Sequence, residues 1–471
     1  MKRVAVVGGG VAGLAAALRL VEAGRGLEVV LLDANDRLGG TIATERSGGF
    51  LIEAGADAFI TEKPWAVALC ARLGLERRLV GTRPDDRRVH IVRGGRLVPV
   101  PEGFALLAPT DLWNLAGSPL FSWHGKLRML LDLVLPRGSA EGDESIAAFV
   151  RRRLGREALE RVAEPLLGGI YTGDAERLSL RATMPRFVEL ERRHGSLIRG
   201  LRATARTRDA GARYSLFMTH ADGMGGLVAD LARRLPEGVV RLGSRVERLA
   251  REGDGWRVVT TGAVHDVDAV VVAVPSYVAA SLLAEVDPTL AHGLAAIEYA
   301  SSAIVTLAYR GTDLPRGLAG FGFVVPSIEQ RSILACSYPS RKFDGRAPEG
   351  HELLRAFVGG ALRPELVDLD DAALRAAVEA DLAALLGVTA RPALVRVHRH
   401  RRAMPQYQVG HEARVAVIEA RTAAVPGLAL AGAAYRGVGV PDCVRSGEAA
   451  ADAVLAARPE THVSGRSQTR A

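Results

Sequence analysis

The chain has 471 residues, 48% apolar and 24% charged, with a formal net charge of +8. That length exceeds what one core fills, so two or three lobes of an ordinary soluble globular protein are expected. No window approaches the ~18 uninterrupted apolar residues of a membrane span, and arginines spread along the chain without interleaved aromatics argue against nucleic acid.

The basic surface instead suits an anionic small molecule or the face of a membrane. Cys70, Cys336 and Cys443 are widely spaced, form no metal pattern and suit buried apolar thiols in a reducing compartment. Met1 and two basic residues lead directly into the first strand, so no secretory leader is expected ahead of it.

Val4–Val7 is an all-apolar run, as expected of a strand buried on both faces. Gly8, Gly10 and Gly13 follow as G-x-G-x-x-G, and Val11, Leu14, Leu18 and Val21 then recur at helical spacing until Gly24. A second strand, Glu28–Leu32, closes on Asp33, twenty residues past the third glycine. Gly8 permits a tight turn, Gly10 lets backbone approach a pyrophosphate at the helix N-terminus, and Gly13 allows close helix–strand packing. Asp33 can accept hydrogen bonds from ribose hydroxyls. Arg37 and the doublet Gly39–Gly40 offer a second set of donors to a pyrophosphate, which plain nicotinamide dehydrogenases do not need.

The stretch "GGGVAGLAAALRL…LLDANDRLGGTIAT" resembles the FAD-binding start of the amine oxidase and protoporphyrinogen oxidase superfamily. Many members carry arginine after the glycine doublet, where this chain has Thr41; that departure argues against the amine oxidases proper and is compatible with the porphyrinogen branch. The resemblance implies FAD as cofactor.

Further along, Glu53 and Gly55 resemble the family's E-x-G-x-x-x-F segment, which passes beside the flavin. "SWHGKLRMLLDLVLPRG" is amphipathic, with Leu127, Leu130, Leu131 and Val134 on one stripe. A lid helix packed on its own core is the first expectation for it, and peripheral membrane contact the alternative. Gly168, Gly169 and Gly173 loosen a helical region around Tyr171, so that backbone can line a cavity; "GGIYTGD…LS" resembles the pocket-lining segment of protoporphyrinogen oxidases. His194, in "ERRHGSLIRG", is expected to be structural.

A glycine-opened helix ("GMGGLVADLARRL"), short strands and the buried strand Asp268–Val274 return the chain to the nucleotide domain. The resemblance implies that backbone at Val246 holds the adenine. Residues 290 to 410 alternate well enough for an antiparallel sheet. Within them Arg341, Lys342 and Arg346 place three cations in six residues, either a solvated loop or a recess for carboxylates such as porphyrin propionates. The segment resembles the A-C-T-W-x-x-x-K-W region of Gram-positive coproporphyrinogen III oxidases, with Tyr338 and Phe343 in place of tryptophans. Arg88 joins Arg341 and Lys342 as a candidate propionate ligand. His398, His400 and His411 lie close, but no carboxylate or cysteine completes a metal set, and no metal is expected.

Near the end, Gly427–Leu430 is expected to be the last strand of the cofactor sheet, with Gly432, Gly437 and Gly439 freeing a second turn and a helix from Gly447 to Ala457 capped by Asp442 or Ser446. The N-terminus of that helix would favour negative charge on a reduced flavin. "GAAYRGVGVPDCVRSGEAAADA" resembles the family signature G-x-x-x-x-G-V-G-x-P-D-C-x-x-x-G, which adds Val440 to the cofactor set.

The expected fold is therefore α/β (α+β overall): a Rossmann-like FAD-binding domain in discontinuous segments, with an antiparallel-sheet substrate domain and a helical lobe. Residues 1–85, 213–290 and 411–457 make the FAD domain, 86–185 the helical lobe at the substrate entrance, 186–212 a connection, 291–410 the substrate domain and 458–471 a disordered tail. The resemblance implies an oxygen-dependent porphyrinogen oxidase of haem biosynthesis, taking a tetrapyrrole through a six-electron oxidation with three hydrogen peroxide released. Coproporphyrinogen III is the first substrate expectation and protoporphyrinogen IX the alternative. A different FAD enzyme (an amine oxidase or carotenoid desaturase) is the more distant alternative, and a non-enzymatic binder that reuses the fold is another. No catalytic side chain is identified; positioning and the flavin would carry the chemistry. A monomer or homodimer is expected, in the cytoplasm or at the inner face of the membrane.

Overall fold

The computed structural model describes residues 2–456 except 25, 106, 139–141, 206–214 and 316–317. The expected tail, and part of the 186–212 connection, lie outside the described residues.

Lys2–Val7 forms the centre of a five-stranded sheet, between Leu27–Leu32 on one side and Ala269–Val272 on the other, with Val240–Arg241 and Leu428–Leu430 outermost. All four pairings are parallel. Val4, Ala5, Val6 and Val7 are almost wholly buried because both faces are covered, which an all-parallel sheet requires. On one face lie the opening helix Val11–Glu22 and the closing helix Val440–Ala456. The other face packs on an antiparallel sheet of Val246–Glu252, Gly255–Thr260 and Val264–Val267 around the buried Trp256.

The closing helix starts seven residues before the expected Gly447. That glycine is not a helix start: a Cβ there would sit 2.1 Å from the Ala12 carbonyl oxygen, so it is the contact that lets the two helices touch. Neither proposed cap acts as one: Asp442 pairs with Lys63 at 2.6 Å, and the Ser446 hydroxyl accepts from the Gly432 amide at 3.0 Å.

The second sheet has seven strands, in the order Leu394–Pro405, Tyr299–Arg310, His351–Gly359, Ile333–Ser337, Gly322–Val324, Val89–Arg93, Arg96–Pro99. Only Gly322–Val324 and Val89–Arg93 pair in parallel. This moves the expected boundary at residue 86, because residues 89–99 are a hairpin of the substrate sheet and helices begin at Leu112. The outer sheet face is covered by the helix Asp371–Leu386 through Leu374, Val378, Leu382 and Leu385. The inner face meets the cofactor domain and the helical lobe.

The lobe is built from Trp123–Leu130, Ile146–Arg153, Glu164–Tyr171, Pro185–His194 and Leu197–Ala205 around an apolar core that includes Phe149, Val162 and Leu167. Its helix Trp123–Leu130 does not bury the expected stripe. Gly125, Lys126 and Met129 face inward, while Leu127, Leu131 and Val134 are exposed, as are Trp113 (88%) and Trp123 (69%). The reason is the buried Asp132–Arg153 pair just past the helix, which fixes the rotation of that segment with Asp132 inside.

Candidate active site

The first turn is assembled by close approach. Gly8 has φ of 105°, and a Cβ on it would lie 2.6 Å from the Ala273 carbonyl oxygen; a Cβ on Gly13 would lie 1.8 Å from the Gly8 carbonyl oxygen. Gly10 differs, since nothing lies within 4 Å of its Cβ position. The doublet packs onto this turn: the Gly39 amide donates to the Gly9 carbonyl at 2.8 Å, and a Cβ on Gly40 would meet Gly10 at 3.5 Å. Asp33, buried at the end of its strand, accepts from the Gly9 amide (2.6 Å) and the Asn35 amide (2.8 Å). Its own carbonyl accepts from the Ser244 amide at 2.7 Å, which brings the segment leading to Val246 alongside. Arg37 folds back on the doublet, donating to the carbonyls of Leu38, Gly40 and Ile42. It therefore holds the loop shape as well as carrying charge there.

The second turn stands at the same edge of the sheet. Gly8 and Gly432 follow strands separated by only Ala269–Val272, so the two turns are two inter-strand spacings, roughly 10 Å, apart. Gly432 has φ of 125° and, like Gly10, open space where a Cβ would be. Gly437 is needed for contact: at φ of 141°, its Cβ would fall 2.2 Å from the Asp442 carboxyl carbon. Two open positions flanked by close-packed glycines form a cradle that side chains would fill, and it fits a dinucleotide laid across the strand ends.

Tyr407, in the stretch "MPQY…GH" whose resemblance to a family signature leads the chain back to the flavin, ties this turn to the substrate side. Its hydroxyl donates to the Ala433 carbonyl (2.5 Å) and accepts from the Gly437 amide (2.8 Å). Next to it, Gln406 Nε2 donates to the Tyr171 carbonyl at 3.1 Å. Tyr171 donates its hydroxyl to the Thr183 carbonyl, and burial with the nearby Asp442 charge pushes its pKa up to about 12. Gly169, two residues earlier, backs onto Val324 and Ala335 of the large sheet. The structure thus brings Gly169, Tyr171 and the second glycine turn together.

His411 stacks on Tyr407 with ring centroids 3.9 Å apart, and its Nε2 is 2.9 Å from the Tyr435 carbonyl. Burial lowers its pKa to about 4, against a usual value near 6.5. The unfolded chain therefore takes up a proton below about pH 6.5 that the folded chain refuses until about pH 4. Stability present above pH 6.5 is lost as pH falls through that window, by about 3 kcal/mol at most. Urea unfolding at neutral pH and at about pH 4.5 should show that His411→Gln has a shallower acid loss than the parent. Identical acid slopes would remove His411 as the cause.

A third segment, Glu53 to Asp57, crosses the inner face of the large sheet. A Cβ on Gly55 would meet the Thr41 carbonyl oxygen at 1.9 Å. His400 reaches the Ala54 carbonyl at 2.6 Å, and Arg355 donates to the Gly55 carbonyl. A groove of about 550 Å3 runs between this side of the molecule and the edge strand, lined by Arg37, Gly40, Thr41, Ala54 and His400 among others. His400 and His411 contact different backbone regions, His398 Nδ1 has no hydrogen-bond partner among the described residues, and Tyr338 and Phe343 are buried in the substrate domain.

The three candidate propionate ligands all have carboxylate partners. Arg88 is exposed and bonded to Asp86 at 2.6 Å; Arg341 pairs with Glu352 at 2.7 Å and Lys342 with Asp57 at 3.1 Å. Arg346 is buried and donates to Thr219 and the His220 carbonyl. Lys63 and Arg355 escaped sequence reasoning. For Lys63 there was no signal, since its partner is 379 residues away. Arg355 did leave one, a lone cation among Leu353 and Phe357 on one face of an apolar strand.

The family model of the flavin containing amine oxidoreductases matches residues 11–455. The coproporphyrinogen III oxidase of Bacillus subtilis (strain 168) is 36% identical over 465 residues, covering 96% of this chain and 98% of that protein. The protoporphyrinogen oxidase of Bos taurus is 33% identical, covering 98% of this chain and 100% of its own. Among solved structures, a provisionally named protoporphyrinogen oxidase from Exiguobacterium sp. 255-15 superposes with a TM-score of 0.87 at 34% identity, covering 96% of this chain and 98% of its own.

Proposed function

From the premise that this chain belongs to the flavin containing amine oxidoreductase family, we propose that it is an oxygen-dependent FAD oxidase of porphyrinogens acting on coproporphyrinogen III. One observation carries the reading: two glycine turns with open positions at Gly10 and Gly432 stand at one sheet edge, and Tyr407 and Gln406 join the second of them to the Gly169–Tyr171 wall. The B. subtilis relative, matched along nearly its whole length, supports coproporphyrinogen III. Protoporphyrinogen IX is the second reading, supported by the equally complete match to the bovine protein.

FAD, when bound, supplies a two-electron acceptor. The chain's part is to hold it and the substrate. Gly8, Gly10, Gly13, Gly39 and Gly40 give backbone room for the diphosphate, with Arg37 bracing the loop and Asp33 and the Val246 segment on the adenosine side. Gly55, Gly432, Gly439 and Val440 border the redox end, where the N-terminus of the closing helix favours negative charge. Two side chains there are muted as bases: burial pushes both Tyr171 and Cys443 up to about 12, so each stays protonated at neutral pH. A hydroxyl and a thiol that stay neutral favour holding and orienting a macrocycle over attacking it. Because Arg88, Arg341 and Lys342 are already paired, a propionate would have to compete with Asp86, Glu352 or Asp57 for them.

The test is anaerobic mixing of the purified yellow protein with each porphyrinogen. Coproporphyrinogen III should bleach the flavin fastest, and admitting air should restore the colour as porphyrin fluorescence appears. Bleaching by neither tetrapyrrole would sink the reading.

No helix among the described residues is long and apolar enough to cross a membrane. The exposed apolar side chains Trp113, Trp123, Leu127, Leu131 and Val134 support peripheral contact with a bilayer, since tryptophan favours the interface. The protein should co-sediment with vesicles containing anionic lipid, and the double variant Trp113→Ser, Trp123→Ser should lose most of that binding. Equal sedimentation of both proteins would reject this contact.

A further inference from the structure

Four adjacent strands of the large sheet place Ser337, Arg355, Thr306 and Arg396 in one transverse row on its inner face. The next row along, Ala335, Phe357, Ile304 and His398, is mostly apolar. Arg355 is 3% exposed and Thr306 fully buried. Arg355 Nε, Thr306 Oγ1 and Ser337 Oγ have no hydrogen-bond partner among the described residues. Burying a cation and two hydroxyls so incompletely satisfied costs stability, and apolar residues in their place would not incur that cost. Rules broken in this way inside a core mark function more often than architecture.

The charges around Arg355 are also unequal. Its guanidinium donates to the Gly55 carbonyl and stands 3.9 Å from Asp57, which already accepts from Lys342 at 3.1 Å. Two cations thus share one carboxylate beneath the 53–57 segment. Glu53, the other carboxylate in reach, is held by Thr44 and the Met224 amide instead. The Phe357 ring lies 4.9 Å from the guanidinium and shields it on the side of the lobe.

We propose that Arg355 is a positioning residue of the redox site: it fixes the Gly55–Asp57 segment and lends it an excess of buried positive charge that favours the reduced state of the flavin. This rests on the reading that the flavin lies beside Gly55. A buried, fixed positive charge acts strongly on charge that develops nearby, because little water screens it.

The experiment measures the midpoint potential of the bound flavin by dye equilibration in three variants. Arg355→Gln should keep its flavin yet lower the reduced-to-oxidised ratio at fixed potential at least tenfold, about 30 mV for a two-electron couple. Arg355→Lys, which retains the charge, should stay close to the parent. Asp57→Asn, which removes the shared carboxylate, should move the potential the other way, and it decides the matter if Arg355→Gln does not fold. An unchanged potential in flavin-loaded Arg355→Gln, an Arg355→Lys as low as Arg355→Gln, or an Asp57→Asn shift downward or absent would each overturn the proposal. Failure of the parent protein to bind flavin or to be reduced by a porphyrinogen would instead overturn the reading beneath it.

Discussion

Gly10→Val is expected to yield a folded, colourless protein. Gly10 has φ of −70° and ψ of 179°, an extended conformation open to any residue, and its Cβ position is free of protein atoms out to 4 Å. Valine there should therefore cost the fold little. What it removes is the space between the first turn and the Gly39–Gly40 doublet. If that space belongs to the diphosphate, affinity for FAD should fall at least a hundredfold, about 2.7 kcal/mol. Gly13→Ala makes the contrast. Alanine suits a helix better than glycine, yet its Cβ would lie 1.8 Å from the Gly8 carbonyl oxygen, so the helix must leave the turn. That variant should lose stability and flavin together. Titrating apoprotein with FAD, alongside urea unfolding of each variant, separates the cases. A Gly10→Val protein that binds FAD as tightly as the parent would mean the open space is not the cofactor's.

How far these features could be read without coordinates depends on how local each is. The first turn was legible because strand, glycines, helix and Asp33 lie within thirty residues, and each has a distinct steric demand. The strand Leu428–Leu430 was legible for the same reason. The start of the closing helix was not, because Gly447 looks like punctuation in the sequence. Only the 2.1 Å approach to Ala12, over 430 residues earlier, explains it. The hairpin of residues 89–99 was misplaced for a related reason. Its partner strand Gly322–Val324 lies some 230 residues on, and no turn links them. On the substrate side, Arg341 and Lys342 were chosen by their clustering in the chain, and Arg88 was added to them. Clustering cannot reveal that Glu352, Asp57 and Asp86 already neutralise them. The buried cation that stands out electrically is Arg355, whose only signal was its position on an apolar strand face.

The second large effect belongs to the helical lobe. Arg153 and Asp132 are both fully buried and 2.5 Å apart. Arg153 also donates to the carbonyls of Asp132, Pro136 and Gly195, while Asp132 accepts from the Ser196 hydroxyl and the Ile198 amide. One side chain thus joins the end of the Ile146–Arg153 helix to two loops. Arg153→Met leaves a buried carboxylate without its cation, which costs about 3–5 kcal/mol. The double variant Arg153→Met, Asp132→Leu removes both charges and should be less destabilised than the single one, because the penalty lies in the unpaired charge and not in losing the pair. Thermal or urea unfolding of the two variants checks this. A single variant within about 1 kcal/mol of the parent, or a double variant at least as unstable as Arg153→Met, would show that water reaches the pair. The consequence for function follows from connectivity: the same lobe carries the Glu164–Tyr171 helix that backs onto the large sheet. Loosening it should raise KM for the porphyrinogen before it lowers flavin content, since both glycine turns belong to a different domain.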